Sequence, residues 1–451
     1  MSIALVILAA GKGTRMNSDQ PKVLHQIANA PMLVHAMMSG ADLDPAHTVV
    51  VAGHGFDDVE AAVNEFDPNA RVVLQEEQNG TGHAVATAKD ALADFDGDVI
   101  VLFGDTPFIR PETLDRMINA RDKNAVVVLG FEAADPGKYG RLVMQGDSLE
   151  MIVEYADASD EQRDITFCNS GVILADRKTL LDLIDTVEAN NAQGEYYLTD
   201  IVGIARVRGL RVTAVACDEA ETLGVNSRAH LAEAEAIFQM RARRDLMELG
   251  VTLQQPETVM LSFDTVIGRD TVIEPNVYFG PGVTVESGVH IRAFSHLEGC
   301  HVSRGGVVGP YARLRPGAEL AEHVRIGNFV EVKNAILDEG AKVNHLSYVG
   351  DATIGKRTNI GAGTITCNYD GVMKHKTTIG ADAFIGSNTM LVAPVSVGDN
   401  AMTGSGSVIT KDIPDDALSI ARADQVNKPG IARKLFDILK SKKIKRDKEP
   451  K

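Results

Sequence analysis

Tryptophan is absent from this chain of 451 residues, and aromatic residues of all kinds make up only 5 % of it. A core lean in rings is filled by Ile, Val and Leu, and an apolar fraction of 44 % supplies enough of them for a globular protein. Cysteine is scarce as well. Cys168, Cys217, Cys300 and Cys367 are scattered, with no C-x-x-C pair and no zinc-ligand spacing. That scatter predicts reduced thiols and a cytoplasmic protein. Positive charge is short: the formal net charge of −17 argues against a nucleic-acid binder, so phosphate ligands must be met by local basic clusters or a metal. No stretch reaches the roughly 18 apolar residues that a membrane helix needs. The apolar run at the amino terminus is short and has no basic segment ahead of it, so neither a signal peptide nor a membrane partner is expected. The length exceeds one ordinary core and predicts two or three domains.

What is present begins at once. The apolar run Ile3 to Leu8 empties into Ala9, Ala10, Gly11, Lys12, Gly13, Thr14 and Arg15, and Lys22 follows Pro21. A buried strand that ends in a glycine-rich, doubly basic loop holds phosphates, because small residues let backbone N–H groups approach the anion. The loop is not a P-loop, and it is not a dinucleotide fingerprint, since Met16 stands where the last glycine belongs. By itself it indicates a phosphorylated ligand, such as a nucleotide.

Up to about Ser227 short aliphatic runs (3–8, 48–52, 71–74, 99–103, 125–129) alternate with helical stretches (57–66, 81–92, 111–121). This pattern predicts a mostly parallel sheet flanked by helices, with ligands beyond the carboxyl ends of its strands. Residues 228–250 are rich in helix formers, lack Gly and Pro until Gly250, and read as a connecting helix. Beyond it the period becomes six: Ile267, Ile273, Phe279, Val285, Ile291 and Leu297, then Leu314, Leu320, Ile326 and Val332, then Ile354 and Ile360, then Ile379, Ile385, Leu391 and Val397. Such a repeat predicts a parallel β-helix over 251–427, with one inward aliphatic residue per short side. Residues 428–451 are basic and read as a solvated tail or as an arm lying against an anionic cofactor.

Taken together, several motifs resemble those of the bifunctional bacterial N-acetylglucosamine-1-phosphate uridyltransferases / glucosamine-1-phosphate N-acetyltransferases. They are LAAGKGTR (8–15), PKV (21–23), Gln75 with GTGH (80–83), GD (104–105), RLRPG (313–317), NFVEVK (328–333), HLSY (345–348) and NIGAGTITCNYDG (359–371). The resemblance covers essentially the whole chain. It implies a Rossmann-like α/β nucleotidyltransferase domain over 1–227 and a left-handed parallel β-helix acetyltransferase domain over 251–427, assembled as a homotrimer. The activity implied is synthesis of UDP-N-acetylglucosamine for peptidoglycan and lipopolysaccharide. Acetyl-CoA acetylates glucosamine 1-phosphate, and the product N-acetylglucosamine 1-phosphate takes uridylyl from UTP.

For the first reaction site the resemblance implies Leu8, Ala9, Ala10, Gly11, Arg15 and Lys22 around the phosphates, with Arg15 and Lys22 as catalytic cations. Gln75, Gly80 and Thr81 match uracil-reading positions, Phe103 and Gly104 precede the metal ligand, and Gly140, Glu154 and Asn169 match sugar positions. Asp105 and Asn226 align with the ligands of Mg²⁺, which needs only one or two protein oxygens. Phe103 departs from the tyrosine common in the family. Read singly, Asp105 is a turn aspartate, Lys22 a surface lysine and Asn226 a cap of the connecting helix.

For the second site the resemblance implies His345 as general base, since attack on a thioester needs a neutral amine and a base near neutrality. Arg315, Lys333, Tyr348, Asn359 and Lys374 match the acceptor positions, and Ala362, Asn368, Tyr369, Ser387, Ser405 and Arg422 those of acetyl-CoA. Ser405 replaces a frequent alanine. The oxyanion donor is left open between a backbone N–H and the Asn368 amide. Glu331 beside Lys333 keeps an ordinary charged face of the solenoid in play. Two other functions stay open: a single-activity sugar nucleotidyltransferase with a structural β-helix, and a non-catalytic scaffold of the translation exchange-factor kind.

Overall fold

The computed structural model describes residues 2–191 and 193–446. It divides into two compact units, one up to Asp245 together with Leu261–Phe263, the other Leu246–Met260 together with the chain from Asp264 onward.

The first unit is built on a nine-stranded sheet. Its main path runs Val212–Cys217, Val126–Glu132, Phe167–Asp176, Asp98–Phe103, Ile3–Ala9, His47–Ala52 and Arg71–Leu74. Ile3–Ala9 is buried along its whole length between parallel neighbours, which is why it reads as an unbroken apolar run rather than an alternating one. The helices Phe56–Phe66, Thr81–Thr87 and Pro111–Arg121 cover the sheet near the positions the sequence assigns to them. The sheet is mixed, however. Phe167–Asp176 runs antiparallel to both of its main neighbours, and its register shifts between Asn169 and Ile173. Arg141–Gln145 and Ser148–Val153 extend this side as a hairpin. Polar residues such as Asn169, Ser170, Gln145 and Glu150 break up the apolar runs of these strands.

The connecting helix spans Arg228–Glu248. Its first turn is capped by Ser227, whose Oγ accepts a hydrogen bond from the His230 N–H at 3.3 Å. Asn226 is therefore free of the capping role that it has when read alone. Gly250, at φ 90°, ends the helix, with its N–H donating to the Met247 carbonyl and that of Val251 to Leu246. The sequence-based boundary at 251 misses a return of the chain. Leu261–Phe263 rejoins the first unit because the Phe263 N–H donates to the Ala28 carbonyl and its ring packs with Ile27, Met32 and Phe108.

The second unit is a β-helix of short parallel strands stacked coil on coil. In its first coils Ile267 pairs with Val285 and Ile273 with Ile291, eighteen residues on, so three six-residue sides make one turn. Every one of the sixteen positions of the six-residue period is buried. The sequence reading passed over Val302, Val308, Leu337, Val343 and Val349, which are equally buried, because coils there are one residue shorter. One coil is far longer: Ile360 pairs with Ile385, and the extra residues form a projecting hairpin in which Tyr369 bridges Lys374. After the solenoid comes the helix Ile431–Arg446, exposed along its whole length. The basic tail is thus helical over Lys440, Lys442, Lys443, Lys445 and Arg446, and its last five residues lie outside the described ones.

Candidate functional site

Two separate constellations emerge, one in each unit. In the first, the strand Ile3–Ala9 delivers Leu8, Ala9, Ala10 and Gly11 to the wall of a cavity of about 280 Å³, which Lys22, Gln75, Gly80, Thr81, Phe103 and Asp105 complete. Gly13 explains the tight turn. Its φ is 58°, and a Cβ there would lie 2.5 Å from the Lys22 Cβ, so any side chain would push Lys22 out of place.

Lys22 is the centre of the site. Its Nζ lies 2.5 Å from Asp105 Oδ2 and 3.2 Å from Asn226 Oδ1. The Asp105 carbonyl accepts the Val225 N–H, which ties the segment carrying Asn226 beside it. Asn226 gives its own Nδ2 to the Gly224 carbonyl at 3.3 Å, so its carboxamide oxygen faces the cation. A carboxylate and an amide oxygen thus converge on one positive charge, far from each other in sequence. A hard donor set of this kind fits Mg²⁺.

Gln75, 3 % exposed, donates from Nε2 to the Gly80 carbonyl at 3.3 Å and lies 3.0 Å from His83 Nδ1. Thr81 Oγ1 accepts the Leu198 N–H at 3.0 Å. Gly140, Glu154 and Asn169 form an adjoining group: the Gly140 carbonyl accepts the Asn169 N–H at 2.8 Å, and a Cβ on Gly140 would meet the Glu154 carboxyl at 3.4 Å. Burial pushes the Glu154 carboxyl above the usual range, against the opposing pull of a 3.2 Å hydrogen bond from Thr199. Phe103 joins the two groups, because its ring lies over Gly171, whose N–H donates to Asn169 Oδ1. Packing rather than a hydroxyl is the job of this position. Gly104 anchors the same strand end by donating to the Leu8 carbonyl.

Arg15 is not drawn into the cluster. It stands exposed on the short 3₁₀ turn Thr14–Met16, and no side-chain partner reaches it among the described residues. Gln78 and Glu195 line the cavity and Thr199 supports Glu154, yet the sequence gives no sign of them. Each belongs to a loop whose course no local pattern sets.

In the second unit the site lies on the outside of the coils. His345 is exposed, and its Nδ1 lies 3.0 Å from Asn328 Oδ1, one coil away in register. A carboxamide oxygen only accepts, so the contact suits the tautomer that carries its proton on Nδ1 and has Nε2 free. Asn328 stands inside a quoted motif, but its partnership with His345 needs the coil register to be seen. Arg315 pairs with Glu331 at 2.7 Å, with both side chains about one-third exposed (32 % each). Glu331 thus answers Arg315 rather than Lys333. Lys333 instead stands beside Lys374, whose hydrogen bond and charge, with the charge of Arg315, hold its ammonium below the usual lysine range. Unpaired cations pressed together are poised for an anion.

Tyr348 lies over Gly350, where any Cβ would strike its hydroxyl. Its oxygen is 3.4 Å from Asn368 Nδ2. Asn359 lies in the next strand, half-buried, with its N–H donating to the Ala383 carbonyl. Lys374 and Tyr369 belong to the projecting hairpin. Asp370 steadies it through His375 and the N–H groups of Met373 and Val372, which hold its carboxyl down at about 2.

Ala362, Ser387 and Ser405 form a column along one edge: the Ala362 carbonyl accepts from Asn388 and the Ser387 carbonyl from Gly406. Arg422 ends the column by donating to the Ser405 carbonyl. Small side chains there leave the backbone open to a ligand. All four cysteines are free, and burial pushes every thiol up, Cys217 and Cys300 to about 12. No helix among the described residues is long and apolar enough to cross a membrane.

Comparison with known proteins finds a separate family model in each unit. Residues 5–191 match the MobA-like NTP transferase domain, and residues 264–299 and 376–411 match the bacterial transferase hexapeptide repeat. A curated protein of Ruegeria pomeroyi called bifunctional protein GlmU is 70 % identical over 100 % of both chains. One of the same name from another Ruegeria species is 69 % identical over 98 % of this chain and 99 % of its own. A third, from a Jannaschia species, is 61 % identical over 99 % of this chain and 98 % of its own. With relatives this close along its entire length, the chain belongs to the bifunctional GlmU family.

Proposed function

We propose that the two constellations catalyse the two reactions that make UDP-N-acetylglucosamine. The observation that supports the reading is that one chain of a family called bifunctional carries two cationic clusters of different make-up, Lys22 with Asp105 and Asn226 in the first unit, and Lys333 with Lys374 in the unit that carries His345.

At the first site an oxygen of N-acetylglucosamine 1-phosphate attacks the α-phosphorus of UTP, the α–β phosphoanhydride bond breaks, and pyrophosphate leaves. No covalent nucleophile is needed, only positive charge to offset the converging anions. Asp105 and Asn226 would hold Mg²⁺, which supplies positive charge to the triphosphate when bound. Lys22 and the exposed Arg15 neutralise phosphate oxygens, Gln75 with the Gly80–Thr81 backbone reads the base, and Gly140, Glu154 and Asn169 hold the sugar.

At the second site Nε2 of His345 takes a proton from the amine of glucosamine 1-phosphate. The nitrogen attacks the thioester carbon of acetyl-CoA, and the proton leaves with the CoA sulfur. Asn328 keeps the imidazole in the basic tautomer. Arg315, Lys333 and Lys374 receive the sugar phosphate, Tyr348 and Asn359 position the ring, Ala362, Tyr369, Ser387, Ser405 and Arg422 receive acetyl-CoA, and Asn368 stands between the two substrates. UTP, acetyl-CoA and free thiols fit a cytoplasmic enzyme, and the product fits cell-wall synthesis.

A cyclic trimer completes this reading. It is supported by an exposed apolar ladder: Phe294, Tyr311 and Phe329 stack at 4.9 and 5.2 Å, and Leu346 continues the line next to His345. Apolar residues left uncovered beside a catalytic group suit a neighbouring copy.

The test uses two assays on purified protein, thiol release from acetyl-CoA with glucosamine 1-phosphate, and pyrophosphate release from UTP with N-acetylglucosamine 1-phosphate and Mg²⁺. Both signals are expected. Pyrophosphate without thiol would reduce the β-helix to a structural element.

A further inference from the structure

Asp351 is absent from every motif-based assignment above, yet it holds the polar network of the second site together. It lies within the strand Tyr348–Ile354, where a φ of 48° turns the chain, and Asn334 makes the corresponding turn in the previous coil at φ 45°. Asp351 Oδ1 accepts a hydrogen bond from Asn334 Nδ2 at 2.6 Å, and its Oδ2 accepts one from Asn368 Nδ2 at 2.5 Å. Partial burial opposes the charge, but those two amides and the nearby Lys374 and Lys333 outweigh it and keep the carboxyl below the usual range. A cavity of about 450 Å³ opens beside it, lined by Asn334, Asp351 and Lys374 among others.

The consequence concerns Asn368, which is 8 % exposed. An ionised carboxylate only accepts hydrogen bonds, so the end of the carboxamide that faces Asp351 must be its NH₂. The same NH₂ lies 3.4 Å from the Tyr348 hydroxyl oxygen. Both of its N–H bonds are thereby committed inside the protein. The carbonyl end points the other way, and no donor reaches it among the described residues. Asn368 meets a ligand as an acceptor. It has nothing left to offer a developing oxyanion, and that task falls to backbone N–H groups.

We propose that Asp351 is a positioning residue for acetyl transfer: it locks the Asn368 carboxamide so that its oxygen accepts a hydrogen bond from the amine of the acceptor sugar. The amine is the N–H donor concerned because Asn368 shares its hydrogen bonds with Tyr348 and Asp351, which stand among the cations assigned to the sugar phosphate. This rests on the acetyltransferase reading of the second site.

The test is a double-mutant cycle of Asp351→Ala and Asn368→Ala, read by steady-state thiol release, with pyrophosphate release and thermal melting as checks on folding. Each single variant should lower kcat about 10- to 100-fold, the range for partners that orient a reacting group. The KM for acetyl-CoA should change little, and the double variant should be no slower than the worse single one. Asp351→Asn, which keeps one acceptor oxygen and the shape of the corner, should recover part of the loss. Losses that multiply would show that Asp351 acts on its own or through Lys333 and Lys374, and would overturn the proposal. So would wild-type kcat in either Asp351 variant, or a loss confined to the KM for acetyl-CoA. Failure of the underlying reading looks different: the unaltered enzyme itself would release no thiol.

Discussion

On the proposed reading the two sites solve the same problem, holding a sugar phosphate against a second anionic substrate, with opposite architectures. The first is concave. Strand ends, a glycine-rich loop and a returning segment enclose a cavity of about 280 Å³, and Lys22, Asp105 and Asn226 meet inside one unit of one chain. The second is laid along the outside of a solenoid, with His345, Tyr369 and Lys374 all exposed. A parallel sheet under loops folds its own pocket. A stack of short coils offers only faces and edges, and depth has to come from an inserted hairpin or a neighbouring copy.

Within the β-helix itself a second contrast points the same way. The hexapeptide repeat is matched over 264–299 and 376–411, where coils are regular. His345, Arg315, Lys333, Tyr348, Asn359, Asn368 and Lys374 all fall between those stretches, where shorter coils and the long insertion interrupt the regular spacing. On the proposed reading, the chemistry gathers where the regular repeat is interrupted.

The sharpest way to break the comparison is to cross the two sites. His345→Ala should cut thiol release by about 10²- to 10⁴-fold, the usual share of a general base, and leave pyrophosphate release intact. Asp105→Ala should do the converse, with a loss of about 10²-fold or more in pyrophosphate release. If either variant cripples both reactions while still folded, the sites are not separate.

Lys374→Ala sharpens the account of the second site. Lys333 loses its charge at a lower pH than an ordinary lysine because Lys374 crowds it, so affinity for the sugar phosphate should weaken as pH rises through that lowered value. Removing Lys374 raises the pKa of Lys333 and moves this alkaline limb upward, while the loss of one phosphate contact raises the KM for glucosamine 1-phosphate roughly 10-fold. An alkaline limb that stays put would show that Lys333 does not report on the acceptor.

The smallest effect concerns Cys367. It sits beside Asn368, but burial raises its thiol, so alkylating reagents should inactivate acetyl transfer slowly and uridylyl transfer not at all. Rapid loss of thiol release that acetyl-CoA prevents would contradict this.

Much of this is legible in the sequence. The six-residue period marks sixteen inward positions, because a solenoid repeats its environment and so its residues, and it stops short of Thr403 and Ile409, which continue the same step. Gly11 to Arg15, Lys22 and Asp105 were visible as a phosphate loop and a strand-end carboxylate. Asn226 read two ways until Ser227 was seen to take the helix cap. Asn328, Asp351, Gln78 and Glu195 were hidden for one reason: their roles depend on which residue lies one coil over or across a loop. That register is a tertiary fact, and no local spacing encodes it.

The central claim is that one chain carries a self-contained uridylyltransferase site and an acetyltransferase site that needs a neighbour. It is tested most directly by measuring both product releases per subunit across a dilution series, with sedimentation on the same samples. The account predicts that pyrophosphate release per subunit stays constant while thiol release falls with the fraction of trimer. Full thiol release from a sedimenting monomer would contradict it.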